Sequence, residues 1–479
     1  MEKIVLVYDN TIKVNERIKT IIGNKSFGEM VLKRKKLYQR VEEAIKNLKQ
    51  GIKFIKIDKK EQFKEIEVYS KDTIFFHLLS NAAIINMKEF EIILEKLKYV
   101  NETTIIECNG IKGAIFSNKD AYIEFLEEYA NTNNLNNIQG NRLQTDIFTD
   151  LTDYSNLIMY ISSGFDARYF NSIQGNNYTV TKKSADKKKM KMEYTYYWLL
   201  PESMKSWMVM PYDYKEEKDY ASYTMERMPM TDVAIRWTHG AIDINEFKCL
   251  MDKVFYFFSI RKKSKIEKEE YNKCAKKLYL EKVDERIERL KKLDEFETIC
   301  KLIQSGTDYN SIDEIVDLYK RLYEKSMKRV YKSNNYESVI GHGDVFFANM
   351  LYSKEVNLLR LIDPKGALEE KDLWTNPYYD IAKLSHSVCG NYDFFNVGAY
   401  DIELNKKMKF DLHIHFDNTR YKEIFKQYLK EFGYDYILVR LYEASLFLSM
   451  LPLHIDNPHK VFGFLLNAIN ILKEIEKDV

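Results

Sequence analysis

The sequence has little cysteine, glycine or proline for a chain of 479 residues. Its 5 cysteines are odd in number and scattered, with no Cys-x-x-Cys pair, so neither a disulfide framework nor a zinc site is expected. Glycine occurs 17 times and proline 7 times, beside many lysines, asparagines, isoleucines and tyrosines. That bias reflects genomic composition as much as function, and a reducing compartment is the natural setting for the free thiols.

No charge of one sign dominates, because 74 basic residues nearly cancel 72 acidic ones. A globally basic surface for nucleic acid is therefore not indicated. No stretch approaches the roughly 20 apolar residues of a transmembrane helix, and the apolar run at 4–8 is too short for a signal peptide. We expect a cytoplasmic protein of two or three domains, without a membrane span or a nucleic-acid partner.

Residues 1–150 alternate strand-like and helix-like segments, which predicts an α/β domain. The segments are strands over 4–8, 73–78 and 104–107, and helices over 41–49, 87–97 and 120–129. The polar stretch 131–144 is the predicted linker. Through Leu79–Ala82 and the helix after it, this part is faintly similar to sugar nucleotidyltransferases. Because 7–11 contains no glycine to wrap a phosphate, we interpret the domain as degenerate, structural or substrate-presenting, with an active second enzyme as the alternative.

A small β-rich lobe is predicted over 153–236. Its strands fall at 157–162, 168–173 and 178–183, with a turn between the last two. Ser163 and Gly164, in the loop between the first two strands, are candidates for covering a phosphate, and an ordinary hairpin turn is the alternative.

One carboxylate interrupts the apolar face of the next predicted helix, 187–199, which Asp186 is placed to cap. Glu193 lies among apolar residues at helical spacing, where a charge is costly unless it is paired. Its predicted partner is Lys182, near the end of the preceding strand. Lys183 is the rival, on the opposite face of that strand.

The segment 339–366 is expected to bring three polar side chains close together. Asp344 and Asn349 lie five residues apart on a predicted loop, and a hairpin then carries Asp363 nearly opposite Asn349. A carboxylate and an amide oxygen that meet suit a hard cation such as magnesium, carrying the phosphates of a nucleotide. Asp344 is then free to orient and deprotonate an attacking hydroxyl.

The run His342–Asp344 with Asn349 and Ile362–Pro364 resembles the phosphotransferase loop of the aminoglycoside phosphotransferase and choline kinase group, relatives of the protein kinases. Protein kinases have Arg before the catalytic Asp, and Asp-Phe-Gly where this chain has Asp-Pro-Lys-Gly. Both differences favour a small-molecule kinase. The resemblance covers about 155–479, and the combined spacing is more specific than any one piece.

The resemblance implies ATP and Mg²⁺ as cofactors and a small hydroxyl-bearing acceptor. Asp344 would be the catalytic base, braced by His342, while Asn349 and Asp363 would hold the metal. Lys182, fixed by Glu193, would contact the α- and β-phosphates.

The hinge of such a kinase would fall near Glu226 and Met228, where backbone groups bind the adenine edge; a buried strand with a surface Glu is the alternative. Asp380 would support the catalytic loop on the acceptor side. Trp374 and Tyr378 would shape the acceptor pocket, with core packing as the alternative for each aromatic.

Two further clusters have simpler interpretations. His413 and His415 share a strand face, but no other ligand accompanies them, so a structural role is expected. Glu369, Glu370 and Asp372 would suit a cationic amine, although such clusters are common on surfaces.

The predicted fold class is α+β, a bilobal protein-kinase-like fold preceded by an α/β domain. We predict boundaries at 1–150, 151–235 (the small lobe) and 236–479 (the large lobe). The predicted function is an ATP-dependent small-molecule kinase acting on a sugar or an amino alcohol such as choline or ethanolamine, for a surface glycan or capsule precursor. Alternatives are a bifunctional nucleotidyltransferase and kinase, a pseudokinase-type binding module, and an aminoglycoside kinase as the least favoured.

Overall fold

The structure is a computed structural model, which describes residues 4–32, 34–48, 51–132, 135, 137–163, 171–175, 178–333 and 336–478. The chain forms two compact units. Unit 1 comprises Met1–Asp166 and His239–Ala241, and unit 2 comprises Ala167–Thr238 and Ile242–Val479. The three-domain division proposed from the sequence stays a prediction.

Unit 1 alternates strands and helices. Its strands are β1 (Ile4–Asp9), β2 (Val31–Leu32), β3 (Lys35–Lys36), β4 (Ile52–Ile57), β5 (Ile74–Leu79), β6 (Ala82–Ile84), β7 (Thr104–Glu107), β8 (Ile111–Phe116), β9 (Asn141–Gln144) and β10 (Phe148–Asp150). Its helices are α1 (Glu16–Ile22), α2 (Leu37–Asn47), α3 (Met87–Lys96), α4 (Lys119–Thr132) and α5 (Tyr154–Ser163).

The main sheet of unit 1 has the order β4-β1-β5-β8-β7-β9 and is covered on both faces. Side chains alternate between the two faces of the sheet along β1. Leu6 packs in the core shared with α2 and α3, and Val5 and Val7 pack in the core shared with α4. β1 is buried along its whole length between parallel neighbours, as expected of a central strand in a layered α/β domain.

Unit 2 begins with a small sheet and continues mainly as helices. Its strands are β11 (Asn171–Gly175), β12 (Thr179–Ser184), β13 (Pro211–Glu216), β14 (Ala221–Glu226), β15 (Thr231–Asp232), β16 (Lys263–Lys265), β17 (Glu337–Ile340), β18 (Met350–Ser353), β19 (Leu358–Leu361), β20 (Trp374–Thr375), β21 (Asp401–Leu404) and β22 (Phe410–His413). Its helices are α6 (Lys187–Leu199), α7 (Glu202–Lys205), α8 (Val233–Thr238), α9 (Ile244–Ile260), α10 (Lys268–Lys276), α11 (Lys282–Leu290), α12 (Phe296–Gly306), α13 (Ile312–Ser333), α14 (Tyr378–Val388), α15 (Tyr392–Val397), α16 (Thr419–Glu431), α17 (Tyr436–Met450) and α18 (Pro458–Glu476).

The two parts of unit 2 have separate cores. The antiparallel sheet β11-β12-β14-β13 packs against α6 through Met190, Ala221 and Tyr223. The helical part buries two larger clusters, one around α17 and α18 and the other around α9 and the β18–β19 hairpin. The fold class is therefore α+β, as predicted, with a sheet-rich beginning and a helical remainder.

The predicted strand over 157–162 was wrong, because these residues belong to helix α5. Leu157, Ile158 and Ile161 are buried at helical spacing, and Asp153 accepts the main-chain N–H of Asn156 at 2.8 Å, as a helix cap does. The short apolar run alone did not distinguish the repeat of a helix from that of a strand.

The predicted linker was also wrong over 141–144. These residues form β9, which pairs in parallel with β7 and leaves all its side chains exposed. A polar sequence is compatible with an edge strand because the pairing uses only main-chain groups, and polar side chains protect such an edge.

One helix has the length and composition of a membrane-crossing segment. It spans Tyr436–Leu453, with a mean hydropathy of 1.3, and 83% of that window is buried inside the protein. Its burial is that of a core helix, packed against α14 and α18.

Candidate active site

The β18–β19 hairpin forms as predicted and sets the register of the site. Met350 pairs with Leu361, and the N–H of Ile362 donates to the main-chain oxygen of Asn349 at 3.0 Å. Asp363 therefore lies one position beyond the residue opposite Asn349. It adopts a left-handed backbone with φ 55°, which turns the chain out of the strand.

Asp344 is held from two sides. The side-chain amide of Asn349 donates to the main-chain oxygen of Asp344 at 2.9 Å and to its Oδ2 at 3.3 Å. Lys383 Nζ lies 2.8 Å from Oδ1. Both carboxylate oxygens are thus oriented, and the side chain remains 32% exposed, so an acceptor hydroxyl has access to it.

Lys383 was missed by the sequence reasoning. It follows Asp380 by three residues on α14, a spacing that places both on one helix face. Burial alone would lower the pKa of Lys383, but the Asp344 carboxylate outweighs that effect and raises it. Lys383 is therefore a permanent cation beside the candidate base.

Asp380 lies beneath the catalytic loop. Its carboxylate accepts the main-chain N–H groups of His342 at 3.0 Å and Gly343 at 2.7 Å, and it pairs with Arg261 at 3.1 Å. Both side chains of that ion pair are fully buried. Asp380 is placed to support the loop, but its assignment to the acceptor side was wrong, because no surface is left for a substrate to touch.

His342 is also fully buried. Its Nδ1 accepts the N–H of Asp344 at 3.3 Å, and its main-chain oxygen accepts the N–H of Lys365 at 2.9 Å. Burial is the main reason that its pKa is lowered, so the ring is neutral. This placement fits a bracing residue, and that role stays a prediction.

Lys182 connects the small sheet to the catalytic loops. It extends from β12, and its Nζ lies 2.6 Å from Glu193 Oε2 and 3.0 Å from Asp363 Oδ1. Burial would lower the pKa of Lys182, yet the two carboxylates outweigh it and raise that pKa. The rival Lys183 instead lies with its Nζ 3.4 Å from the ring centre of Tyr220.

Glu193 has a second partner that the sequence did not reveal. Tyr223 donates its hydroxyl to Glu193 Oε2 at 2.9 Å. Tyr223 sits directly opposite Lys182 in the β12–β14 pairing, so only the strand register brings it to the carboxylate. The buried Glu193 is thereby satisfied, as a charge on an apolar helix face must be.

The loop after Asp363 packs directly on helix α6. The N–H of Ala367 donates to the main-chain oxygen of Met192 at 3.0 Å. Gly366 has φ 89°, and a Cβ there would lie 2.7 Å from the main-chain carbon of Met192. Only glycine permits this close approach, which brings the loop after Asp363 against the turn of α6 that carries Glu193.

The remaining predicted nucleotide residues are placed as follows. Ser163 is the last residue of α5 in unit 1, so the strand and loop predicted up to it were wrong, and Gly164 lies outside the described residues. Of the strand predicted over 168–173, residues 171–173 belong to β11 and the rest lie outside the described residues. Glu226 ends β14 and is exposed, while Met228 is half-buried in the segment leading to β15. Their hinge role stays a prediction.

The two acceptor-side aromatics are engaged in packing. Trp374 belongs to β20, paired with β17, and is half-buried. Tyr378 stacks edge-on against Tyr434 and Tyr442 and accepts the N–H of Asp435 at 3.2 Å. These contacts match the alternative that the sequence left open, core packing at a helix start.

Asp363 and Asn349 are the oxygen ligands available for a metal. The Asn349 amide nitrogen makes both of its bonds to Asp344, and no hydrogen bond to the amide oxygen occurs among the described residues, so this oxygen is available as a metal ligand. The Asp363 side chain is 39% exposed. A carboxylate with an amide oxygen suits Mg²⁺, which keeps several waters.

Over the described residues no cluster of three or more His, Cys, Asp and Glu residues could hold a metal. His413 and His415 are exposed and face Glu403 and Asp401, respectively.

No family model matches the chain, and no curated protein matches it. Solved structures do. One is a thermostable mutant of aminoglycoside phosphotransferase APH(4)-Ia with AMP-PNP and hygromycin B, at 10% identity and TM-score 0.34, covering 66% of this chain and 98% of that one. A second is an aminoglycoside phosphotransferase from Streptomyces rimosus with ADP and streptomycin, at 13% identity and TM-score 0.32, covering 62% and 96%.

A third similar structure is the Plasmodium vivax ethanolamine kinase, at 10% identity and TM-score 0.35, covering 68% of this chain and 87% of that one. These proteins belong to the group that the sequence motif resembles.

Proposed function

We propose that this chain transfers the γ-phosphoryl group of ATP to a hydroxyl of a small molecule, in the presence of Mg²⁺. One observation carries the proposal: Lys182 Nζ bridges Glu193 and Asp363 at 2.6 and 3.0 Å. The same site contains Asp344, whose carboxylate is bonded by the Asn349 amide. A cation for phosphates, oxygen ligands for a metal and an accessible carboxylate are the parts that phosphoryl transfer requires.

Each side chain has a role that follows from its contacts. Lys182, kept charged by its two carboxylate partners, would bind the phosphate chain of the nucleotide. Asp363 and Asn349 would hold Mg²⁺, which neutralises charge on the β- and γ-phosphates. Asp344, oriented by Lys383 and Asn349, would bind the acceptor hydroxyl.

The transfer step needs little covalent chemistry from the protein. The acceptor oxygen forms a bond to the γ-phosphorus while the bond from that phosphorus to the β–γ bridging oxygen breaks. The electron pair leaves with ADP, and the hydroxyl proton passes to Asp344. Positioning and charge stabilisation supply the rate, which is why the anchoring of the loop by Asp380 matters.

For the acceptor we propose a sugar or an amino alcohol such as choline or ethanolamine, in the cytoplasmic synthesis of a surface glycan or capsule precursor. The support is the resemblance of the catalytic motif to the choline kinase group and the chain's additional N-terminal α/β unit. An aminoglycoside is the less favoured acceptor.

Two other functions remain as alternatives. A bifunctional enzyme would need an active site in unit 1, but the buried carboxylate that ends β1, Asp9, is already used within the unit: it accepts the Tyr129 hydroxyl at 2.5 Å and the main-chain N–H of Thr11 at 2.8 Å, and it lies 3.3 Å from His77. A pseudokinase-type binding module would not require the complete constellation around Lys182 and Asp344.

The test measures ADP release with ATP and Mg²⁺ over a panel of sugars, choline, ethanolamine and aminoglycosides. Asp344→Ala removes the base and should lower turnover by about 10²-fold or more. Asp363→Ala removes a metal ligand and should abolish turnover. The matched control is Asp313→Ala, an exposed carboxylate on α13 that pairs with Lys291.

Fluorescent-nucleotide binding and circular dichroism accompany each assay. The proposal predicts Mg²⁺-dependent nucleotide binding and loss of turnover in the two site variants with an intact fold. Full turnover in Asp344→Ala, or wild-type protein that binds no nucleotide, would refute it.

A further inference from the structure

Three lysines lie around the buried side chain of Tyr379, and one of them, Lys383, pairs with Asp344. Lys282, at the start of α11, donates to the Tyr379 hydroxyl at 3.1 Å. Lys365, two residues after Asp363, has its Nζ 5.9 Å from the centre of the same ring. Lys383 completes the group from α14. Three elements distant in sequence thus bring ammonium groups to one place, which we call the lysine cluster (Lys282, Lys365 and Lys383).

The positive charge of the lysine cluster is only partly compensated. Lys383 pairs with Asp344 at 2.8 Å. Among the described residues no carboxylate lies within ion-pair distance of Lys282 or Lys365. The pKa of the Tyr379 hydroxyl shows the effect of this positive charge. Burial would raise that pKa, but the three ammonium groups outweigh burial and lower it.

The acidic residues that would suit a cationic amine are occupied elsewhere. Glu369 pairs with Lys371 at 2.6 Å, and Glu370 pairs with Lys262 at 3.5 Å. Asp372 accepts the main-chain N–H of Glu369 at 3.1 Å, so its carboxylate is used within the local turn 369–372. The charged partner that the structure gives Asp344 is the basic Lys383, which disfavours a cationic acceptor.

The two carboxylate oxygens of Asp344 have different neighbours. Asp344 Oδ2 faces the Asn349 amide, one of the two candidate metal ligands, whereas Oδ1 faces Lys383. The phosphate-binding role already has its own cation, Lys182, which bonds Asp363. Through Lys383 the lysine cluster therefore contacts the oxygen of Asp344 that is not bonded to the Asn349 amide, and this oxygen is the one we assign to the acceptor.

We propose that the acceptor of this enzyme carries an anionic group, a phosphate monoester or a carboxylate, which the lysine cluster binds while Asp344 takes the hydroxyl. The inference rests on the proposed phosphotransferase function and specifies its substrate class. It narrows the two acceptor classes proposed above to the sugars: sugar phosphates and sugar acids fit, whereas the amino alcohols choline and ethanolamine, like aminoglycosides, are cations and do not.

The first experiment compares acceptors that differ in charge on one scaffold: glucose, glucose 6-phosphate, glucuronate and glucosamine, with fructose and mannose as parallel series. ADP release with ATP and Mg²⁺ is measured for each. An anionic member should have a kcat/KM at least about ten-fold above that of its neutral parent, since a charge-assisted bond contributes roughly that factor. Preference for the neutral or cationic members would overturn the proposal.

The second experiment tests the residues. Lys282→Gln and Lys365→Gln should each reduce the ratio of kcat/KM for the anionic over the neutral acceptor by about ten-fold. Lys282→Arg should retain that ratio. The matched control Lys371→Gln, an exposed lysine paired with Glu369, should leave the ratio unchanged. A ratio in the two cluster variants equal to that of the control would refute the role of the cluster.

Nucleotide binding separates this inference from the function on which it rests. If the wild-type protein binds no nucleotide with Mg²⁺, the phosphotransferase proposal fails. If it binds nucleotide and phosphorylates neutral or cationic acceptors best, only the anionic acceptor is disproved.

Discussion

Replacing Asp380 by Asn should separate the support of the catalytic loop from the chemistry performed on it. The carboxylate accepts two successive main-chain N–H groups, at His342 and Gly343, and is the ion-pair partner of Arg261. An amide of the same shape retains one acceptor oxygen but turns an NH₂ group toward the other donor. It also leaves Arg261 without a counter-charge.

The size of the effect follows from burial. Both Asp380 and Arg261 are fully buried, and breaking such a pair by removing one partner costs about 3–5 kcal/mol. An unsatisfied buried N–H costs a smaller amount, about 1–3 kcal/mol, and the two costs are not fully additive. We expect the free energy of unfolding of unit 2 to fall by about 3–5 kcal/mol.

A double-mutant cycle with Arg261→Met isolates the pair. Arg261→Met also removes a hydrogen bond to the Tyr434 hydroxyl at 3.1 Å, so it is destabilising by itself. The double variant should nevertheless be more stable than the sum of the single effects predicts, by about 2 kcal/mol or more, because no charge remains buried alone. Urea unfolding followed by circular dichroism measures each term.

Activity gives the second measurement. Well below the melting temperature of the variant, Asp380→Asn should lower kcat by about 10²-fold, because a small displacement of Asp344 misaligns the base. Glu369→Gln, which breaks an exposed ion pair, is the control and should change neither stability nor turnover. Wild-type stability in Asp380→Asn, or additive single effects in the cycle, would refute this reasoning.

Two further predictions concern other parts of unit 2. Gly366→Ala should weaken nucleotide binding by displacing α6, since a Cβ there would lie 2.7 Å from Met192 backbone; Gly433→Ala carries the same left-handed strain of about 1–2 kcal/mol without a neighbour within 4 Å and should leave binding unchanged. Burial raises the pKa of Asp393 from 3.8 to about 7, so between these pH values the folded state holds a proton that the unfolded state has released. The stability of the fold is therefore not reduced by Asp393 below about pH 4, and it falls as the pH rises to about 7. Wild-type stability should therefore fall by about 3 kcal/mol more than that of Asp393→Asn between about pH 5 and pH 8 in urea titrations, and equal pH dependences would contradict the prediction.

The sequence was most informative where one local signal decided the structure. Helix α6 begins and ends at the predicted residues. Asp186 caps its start by accepting the N–H of Lys189 at 3.0 Å. The β18–β19 hairpin likewise follows from a polar turn between two short apolar runs. The apolar surroundings of Glu193 correctly required a buried partner, and that partner is Lys182.

The failures have physical causes of two kinds. Helix α5 and strand β9 were misassigned because short segments take their form from the surface they pack on or the strand they pair with. Lys383, Arg261 and Tyr223 were missed for a different reason. Each reaches its carboxylate through contacts 30 to 119 residues apart, which depend on strand register and helix packing.

The proposed catalytic base, Asp344, and the proposed phosphate-binding lysine, Lys182, are connected through one short stretch of backbone. The N–H of Lys365 bonds the oxygen of His342, and two residues later the N–H of Ala367 bonds the oxygen of Met192, next to Glu193. A shift of α6 must therefore move both Glu193 and the loop that carries Asp363. Because the same loop bonds the residues that hold Asp344, loss of the Lys182 contact and misplacement of the base would be coupled. Under the proposed function, activity requires both ends of the loop to be anchored. Variants at Gly366 and Asp380 should therefore each affect nucleotide binding and turnover, although neither residue is placed to contact substrate.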